Sequence, residues 1–105
     1  MNDAEIESRI DYLGLSGPRV TQKDVNDFIS KRVFYRFPDT TLTICCLYLK
    51  NGYTVTGESA CISTENYNEE LGKSIAETNA IDKIWELLGF LMKHNLYLEK
   101  NSVVS

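Results

Sequence analysis

The chain has 105 residues, 43% hydrophobic and 25% charged, with a formal net charge of −4. That length suits a single domain (1–105) with a small core, and the acidic balance argues against a non-specific nucleic-acid binder, which needs many phosphate-neutralising cations. The polar start Met1-Asn2-Asp3-Ala4-Glu5 is unlike a secretory leader. No apolar run approaches the ~20 residues needed to span a bilayer. A soluble cytoplasmic protein with no membrane partner is therefore expected.

Charge is unevenly spread. Arg19, Lys23, Lys31, Arg32 and Arg36 fall in one segment with only Asp24 and Asp27 for balance. Such a segment is either a solvated basic face or a site for an anion.

In chain order, Ile6, Ile10 and Leu13 recur at helical spacing, predicting a helix over 3–13 capped by Asn2 or Asp3 and closed at Gly14. Residues 1–20 are expected to be loosely attached. Thr21-Gln22-Lys23-Asp24 is a capping-box variant, predicting a second helix from Gln22 to about Ser30, with Val25, Phe28 and Ile29 on one face. Residues 32–37 are β-branched and aromatic and end at Pro38. They predict a strand with Val33, Tyr35 and Phe37 on one side and Arg32, Phe34 and Arg36 on the other. Two further strand-like runs, Thr41 to Lys50 and Tyr53 to Ile62, flank Asn51-Gly52, a strong hairpin signal. A two-residue loop pairs Lys50 with Tyr53, Tyr48 with Val55, Cys46 with Gly57, Ile44 with Ser59 and Leu42 with Cys61, and these are assigned to the core face. Thr43, Cys45, Leu47, Thr54, Thr56 and Glu58 then face outward.

The C-terminal third is helical. Asn66, with Glu69 three residues on, offers a cap, and Leu71, Ile75, Ile84, Leu88 and Leu91 form an apolar stripe. One helix to about Leu96 or two hinged at Gly89 are equally compatible with the pattern, and 99–105 reads as a frayed tail. A helix this long exceeds what three strands can cover, so a homo-oligomer through this helix is expected. The sum is an α+β chain: two short N-terminal helices, a three-stranded antiparallel meander with an Asn-Gly hairpin, and a long C-terminal helix or helix pair.

Catalytic chemistry is not suggested. Cys45 and Cys46 point to opposite faces of a strand, and Cys61 is too far from Cys46 in the expected register for a disulfide. A zinc site lacks both a C-x-x-C and a second histidine, so reduced, buried thiols and no metal or cofactor are expected. His94 has no evident orienting carboxylate or nucleophile, and no phosphate loop, dinucleotide fingerprint or nucleophile elbow is present. The candidate ligand-binding set is Arg32, Phe34 and Arg36 on the basic-aromatic strand, with Tyr67, Asn79 and Lys83. Arginine pairs bidentately with phosphate and an aromatic ring stacks on a base. An ordinary edge strand whose charges block aggregation has the same pattern. Asn79 and Lys83 lie one helical turn apart and share a face.

The run Cys46-Leu47-x-Leu49-x-Asn51-Gly52-Tyr53-x-Val55-x-Gly57-Glu58-Ser59-Ala60-Cys61 resembles a family of small phage proteins. The same holds for Glu65-Asn66-Tyr67-Asn68-Glu69-Glu70-Leu71-Gly72, Ala76-x-x-Asn79-Ala80 and Lys83-Ile84-Trp85-x-Leu87-x-Gly89-Phe90. That family is named after an early protein of coliphage N4, "gp forty-nine", and its Shigella-phage relatives. Gly17-Pro18-Arg19-Val20-Thr21 also fits, whereas Glu86 stands where relatives often carry proline. The resemblance implies a bacteriophage protein acting in the infected cell. In size and layout it is also similar to the first type of Thoeris anti-defence protein. That similarity implies a non-enzymatic sponge that sequesters a small signalling nucleotide, a cyclic ADP-ribose isomer or a cyclic oligonucleotide. The alternative is an early phage protein that binds and modulates a host protein.

Overall fold

The computed structural model describes residues 3–14 and 17–102, apart from the side chains of Asp11, Tyr12 and Ser102. Asn2 as a cap and the tail beyond 102 lie outside the described residues. The elements are α1 (Asp3–Tyr12), α2 (Gln22–Phe28), β1 (Ile29–Arg36), β2 (Thr43–Leu49), β3 (Thr54–Ser59), a 3-10 turn (Thr64–Asn66) and α3 (Glu69–Ser102). The protein is α+β, and its sheet is the expected antiparallel meander in the order β1-β2-β3. α3 is one continuous helix of 34 residues running through Gly89. No helix among the described residues is long and apolar enough to cross a membrane.

Two compact units are distinguishable: Phe28–Ile84, and the segment up to Asp27 together with the chain from Trp85. In the second, α2 begins with the expected reciprocal cap. The Thr21 N–H donates to the Asp24 carboxylate at 2.9 Å, and the Asp24 N–H donates to Thr21 Oγ1 at 3.1 Å. The Thr21 backbone N–H, and after it the Thr21 hydroxyl, hold the Asp24 carboxyl below its usual range. α2 is shorter than expected, because Ile29 and Ser30 join β1. Glu7 of α1 accepts from the Gln22 N–H and pairs with Arg19 at 3.7 Å.

In the first unit the hairpin departs from the two-residue expectation. Leu49 N–H donates to Tyr53 O at 2.8 Å, and Gly52 N–H donates to Leu49 O at 2.9 Å. The loop is therefore three residues, Lys50-Asn51-Gly52, with Gly52 at φ 89, the type I turn plus left-handed glycine of longer hairpins. One extra loop residue shifts the register, and a one-residue shift turns a whole strand over. Leu47 pairs with Val55, Cys45 with Gly57 and Thr43 with Ser59. Thr43, Cys45, Leu47 and Leu49 are the buried face of β2, whereas Cys46 and Ile44 are half-buried and Tyr48 is exposed. The expected β2 core face is thus reversed, while Val55 and Gly57 of β3 are buried as expected.

α3 covers the buried face through small residues. Ala76, Ala80 and Ile84 are fully buried. A Cβ added at Gly57 would stand closer than 3.0 Å to backbone atoms of Ala76, Asn79 and Ala80. The helix backbone therefore rests directly on β3. It cannot retreat without uncovering Leu47 and Cys45, so even one methyl at Gly57 overpacks the layer.

Gly57→Ala should destabilise the protein by about 2 kcal/mol and lower Tm by roughly 10 °C. Gly89, where an added Cβ meets nothing within 4 Å, is the matched control. Gly89→Ala should raise stability by up to about 1 kcal/mol. Thermal unfolding followed by circular dichroism checks both.

Candidate functional site

Strand β1 is an edge strand and alternates as expected. Arg32 pairs with Leu47, Phe34 with Cys45 and Arg36 with Thr43. Opposite residues share a sheet face, so these three side chains lie on the face that α3 covers. Arg32 Nε meets Glu77 Oε1 of α3 at 2.7 Å, a half-exposed pair worth about 0–1 kcal/mol. Lys73 Nζ lies 5.8 Å from the Phe34 ring centroid and pairs with Glu69 at 3.4 Å. Two of the cations here are thereby neutralised locally.

Arg36 is different. Its guanidinium lies 3.9 Å from the centroid of the Tyr67 ring, and its Nε donates to Thr40 O at 2.9 Å. The turn that presents Thr40 is closed by Thr40 N–H and Oγ1 donating to Phe37 O, with Asp39 at φ 61. No acidic side chain pairs with Arg36 among the described residues. It is an exposed, oriented and uncompensated cation.

Tyr67 connects this cation to a cavity of about 290 Å³. The cavity is lined by Ser59 at the end of β3 and Cys61 just past it, by Asn66 and Asn68 around the 3-10 turn, and by Leu71 and Asn79 of α3, among others. Among the described residues Tyr67 OH is buried without a hydrogen-bond partner, as is Thr43 Oγ1. Both side chains converge on Gly72, where an added Cβ would lie 3.5 Å from Thr43 Oγ1 and 3.7 Å from Tyr67 Cε2. Asn68 caps α3 by accepting from Leu71 N–H at 3.0 Å. The cap is therefore Asn68, not Asn66, which lies in the 3-10 turn. Asn79 Nδ2 donates to Glu58 O at 2.8 Å, which fixes its amide at the β3 edge.

Of the six residues singled out from sequence, Arg32, Phe34 and Arg36 share one face, and Arg36 meets Tyr67. Tyr67 shares the cavity with Asn79. Asn79 itself sits at β3, two strands from β1 and roughly 10 Å across the sheet. Lys83 is exposed and lines no cavity described here. Sequence reasoning missed Ser59, Asn66, Asn68 and Gly72. Asn66 and Asn68 flank Tyr67 directly, but their convergence with Ser59 needs the fold of α3 back over the sheet.

Cysteine chemistry is quiet. All three thiols are free, and no group of three or more potential metal ligands occurs among the described residues. Cys45 is buried, and loss of solvation pushes its thiol up to about 11. Cys46 and Cys61 are only half-buried, contrary to the expectation of three buried thiols. Cys61 Sγ donates to Ser63 O at 3.0 Å.

A single helix laid on a three-stranded meander, with a cation-aromatic edge and an adjoining polar cavity, defines a small α+β protein with a built concavity among the described residues of its sheet unit. The family described as "Phage protein (N4 Gp49/phage Sf6 gene 66) family" matches residues 20–96, and the chain belongs to it. Comparison with curated proteins and with solved structures gave no match.

Below its raised pKa Cys45 stays a thiol, and the thiolate is the reactive form. At about pH 8 an aromatic disulfide reagent should modify Cys46 and Cys61 in the native protein and Cys45 only after denaturation. Rapid native modification of Cys45, located by peptide mass, would contradict the observed register.

Proposed function

We propose that the protein is a non-enzymatic binder that sequesters a small anionic signalling nucleotide, of the cyclic ADP-ribose or cyclic oligonucleotide class, in the infected cell. The observation that carries this reading is Arg36. It is stacked on Tyr67, held by the Thr40 carbonyl and lacks an acidic partner among the described residues, beside a cavity that Tyr67 lines. Arg36 would take a phosphate through its remaining guanidinium nitrogens. Tyr67 is the aromatic wall between the phosphate and the cavity, and Asn79 presents its Oδ1 to a polar base or ribose edge. A cavity near 300 Å³ is at the small end for ligand sites and suits one nucleoside moiety. Sequestration needs no turnover, because tight binding by sufficient protein lowers the free signal by mass action.

Native mass spectrometry and calorimetry with a panel of cyclic ADP-ribose isomers and cyclic oligonucleotides test the proposal. A discrete ligand mass, released chemically unchanged on denaturation, is the expected result. Arg36→Ala should weaken binding about 10- to 100-fold, the value of a charged hydrogen bond to phosphate, and Tyr67→Ala by a similar factor. Lys83→Ala should leave it unchanged. No uptake across the panel would overturn the reading.

One further observation favours a second reading, a phage protein that docks on a host protein. The sheet face away from α3 carries Val33, Tyr35, Phe37, Ile44, Cys46 and Tyr48, of which Tyr35 is 55% and Phe37 40% exposed. Exposed aromatics clustered around an apolar centre are characteristic of protein interfaces. Stoichiometric capture of one host protein, lost in Tyr35→Ser with Phe37→Ser, would favour it.

A further inference from the structure

Arg36, Thr43 and Ser59 form one row across the sheet. Arg36 pairs with Thr43 and Thr43 with Ser59, so all three side chains lie on the face that α3 covers, about 5 Å apart from strand to strand. The row reads cation, hydroxyl, hydroxyl, and its far end lies beneath the first turn of α3. Thr43 is 2% exposed, and its Oγ1 has no hydrogen-bond partner among the described residues. A buried hydroxyl in that state costs stability, which valine, of nearly the same shape, does not. Ser59 Oγ donates to Gly72 O at 2.8 Å and keeps its lone pairs for a further donor. Gly72 joins the row to the cavity that it lines. A Cβ added there would stand 3.5 Å from Thr43 Oγ1, 3.6 Å from Ser59 Oγ and 3.7 Å from Tyr67 Cε2, all ordinary contact distances. Packing therefore admits alanine, which would also favour the helix. Glycine instead keeps α3 from laying a methyl over both hydroxyls. The third neighbour at that point is the Tyr67 ring, whose OH is also buried and unpartnered among the described residues. Tyr67 follows the 3-10 turn in extended backbone and belongs to neither a strand nor α3.

We propose that this floor is a ribose subsite, in which Thr43 Oγ1, Ser59 Oγ and Tyr67 OH bind the sugar hydroxyls of a ribonucleotide whose phosphate sits on Arg36. The subsite presupposes the nucleotide reading of the same cavity and gives it a preference, ribonucleotides over deoxyribonucleotides. The order of the row is the order of the ligand: a sugar ring separates the phosphate of a nucleotide from its hydroxyls, as the strand spacing separates Arg36 from Thr43 and Ser59. The chemistry matches as well. A hydroxyl both donates and accepts, so protein and sugar hydroxyls can serve each other in either sense. Hydroxyls without a partner gain a whole hydrogen bond from the ligand, whereas satisfied ones only exchange one. The floor is shut off from water, so the Tyr67 ring moves aside as the sugar enters. Arg36, 3.9 Å from the centroid of that ring, links this movement to the arrival of the phosphate.

Ligand-observed NMR on the full chain, with millimolar adenosine monophosphate and its dideoxy analogue lacking both ribose hydroxyls, tests the subsite. Adenosine monophosphate should bind, and the dideoxy analogue should bind about 10-fold more weakly, the value of one or two neutral hydrogen bonds. Thr43→Val should weaken adenosine monophosphate several-fold and leave the dideoxy analogue unchanged. Its Tm should stay level or rise, because a methyl replaces an unpaired hydroxyl. Gly72→Ala should raise Tm and cancel the preference between the two probes. Equal binding of both probes by the wild type, or a full preference retained in Thr43→Val, would overturn the ribose subsite and leave Arg36 as a phosphate site. A Tm several degrees lower in Thr43→Val would also overturn it, since Oγ1 would then already have a structural partner. Binding of neither probe would overturn the nucleotide reading and the subsite with it.

Discussion

The contact of the α3 backbone with Gly57 sets the geometry of the sheet unit. A helix normally stands off a sheet by the length of the side chains between them. Here the strand contributes no side chain at Gly57, and the helix contributes only Ala76 and Ala80. The two layers close to backbone contact at that point, and the larger residues Leu47, Leu49, Val55 and Ile84 fill the space around it. The same approach puts Asn79 within reach of the Glu58 carbonyl and brings Gly72 down over Thr43, Ser59 and Tyr67. The cavity is thus a consequence of where the helix touches the strand.

The edge of the sheet that carries Arg36 is built differently. Between β1 and α3 long side chains span the gap: Arg32 to Glu77 and Lys73 over Phe34. Amphipathic side chains of this length cover apolar surface with their stems and keep their charges wet. Arg36 lies at the end of this row, beyond the reach of Glu77 and Glu69, and its contacts are a ring face and a backbone carbonyl. Neither neutralises a charge. An exposed arginine that is oriented but not neutralised retains its affinity for an anion and has already lost much of its rotamer freedom, which lowers the entropic cost of binding.

Local signals carried much of the fold and little of the site. The Thr21–Asp24 cap, the Pro38 strand end, the alternation of Arg32, Phe34 and Arg36 and the meander were legible because each depends on neighbours in sequence. The β2 face was not, because both of its faces are apolar: Ile44, Cys46 and Tyr48 alternate with Cys45, Leu47 and Leu49. With no polar face to break the tie, the register rested on loop length alone, and Asn-Gly serves both a two-residue loop and the last two positions of a three-residue one. The cavity was still less visible. Its lining comes from Thr41 to Asn79, and only the return of α3 over the sheet brings those positions together. Of the expected ligand residues, Tyr67 and Asn79 do line it, while Lys83 was placed with Asn79 on helical spacing, which gives a shared face but not a shared cavity.

Helix α3 changes character along its length, and the change follows residue size. Between Gly72 and Ile84 its inward positions are small, as backbone contact with a strand requires. From Leu87 onward the stripe positions become large and aromatic, and they are exposed. Close backbone approach would exclude Phe90 and Tyr97, and a purely solvated face would not retain them. The helix thus changes from small inward residues that let it touch a strand to large residues that stand exposed. Gly89, inside the second stretch, does not interrupt it, because its backbone remains helical and it lies on the side opposite the large residues.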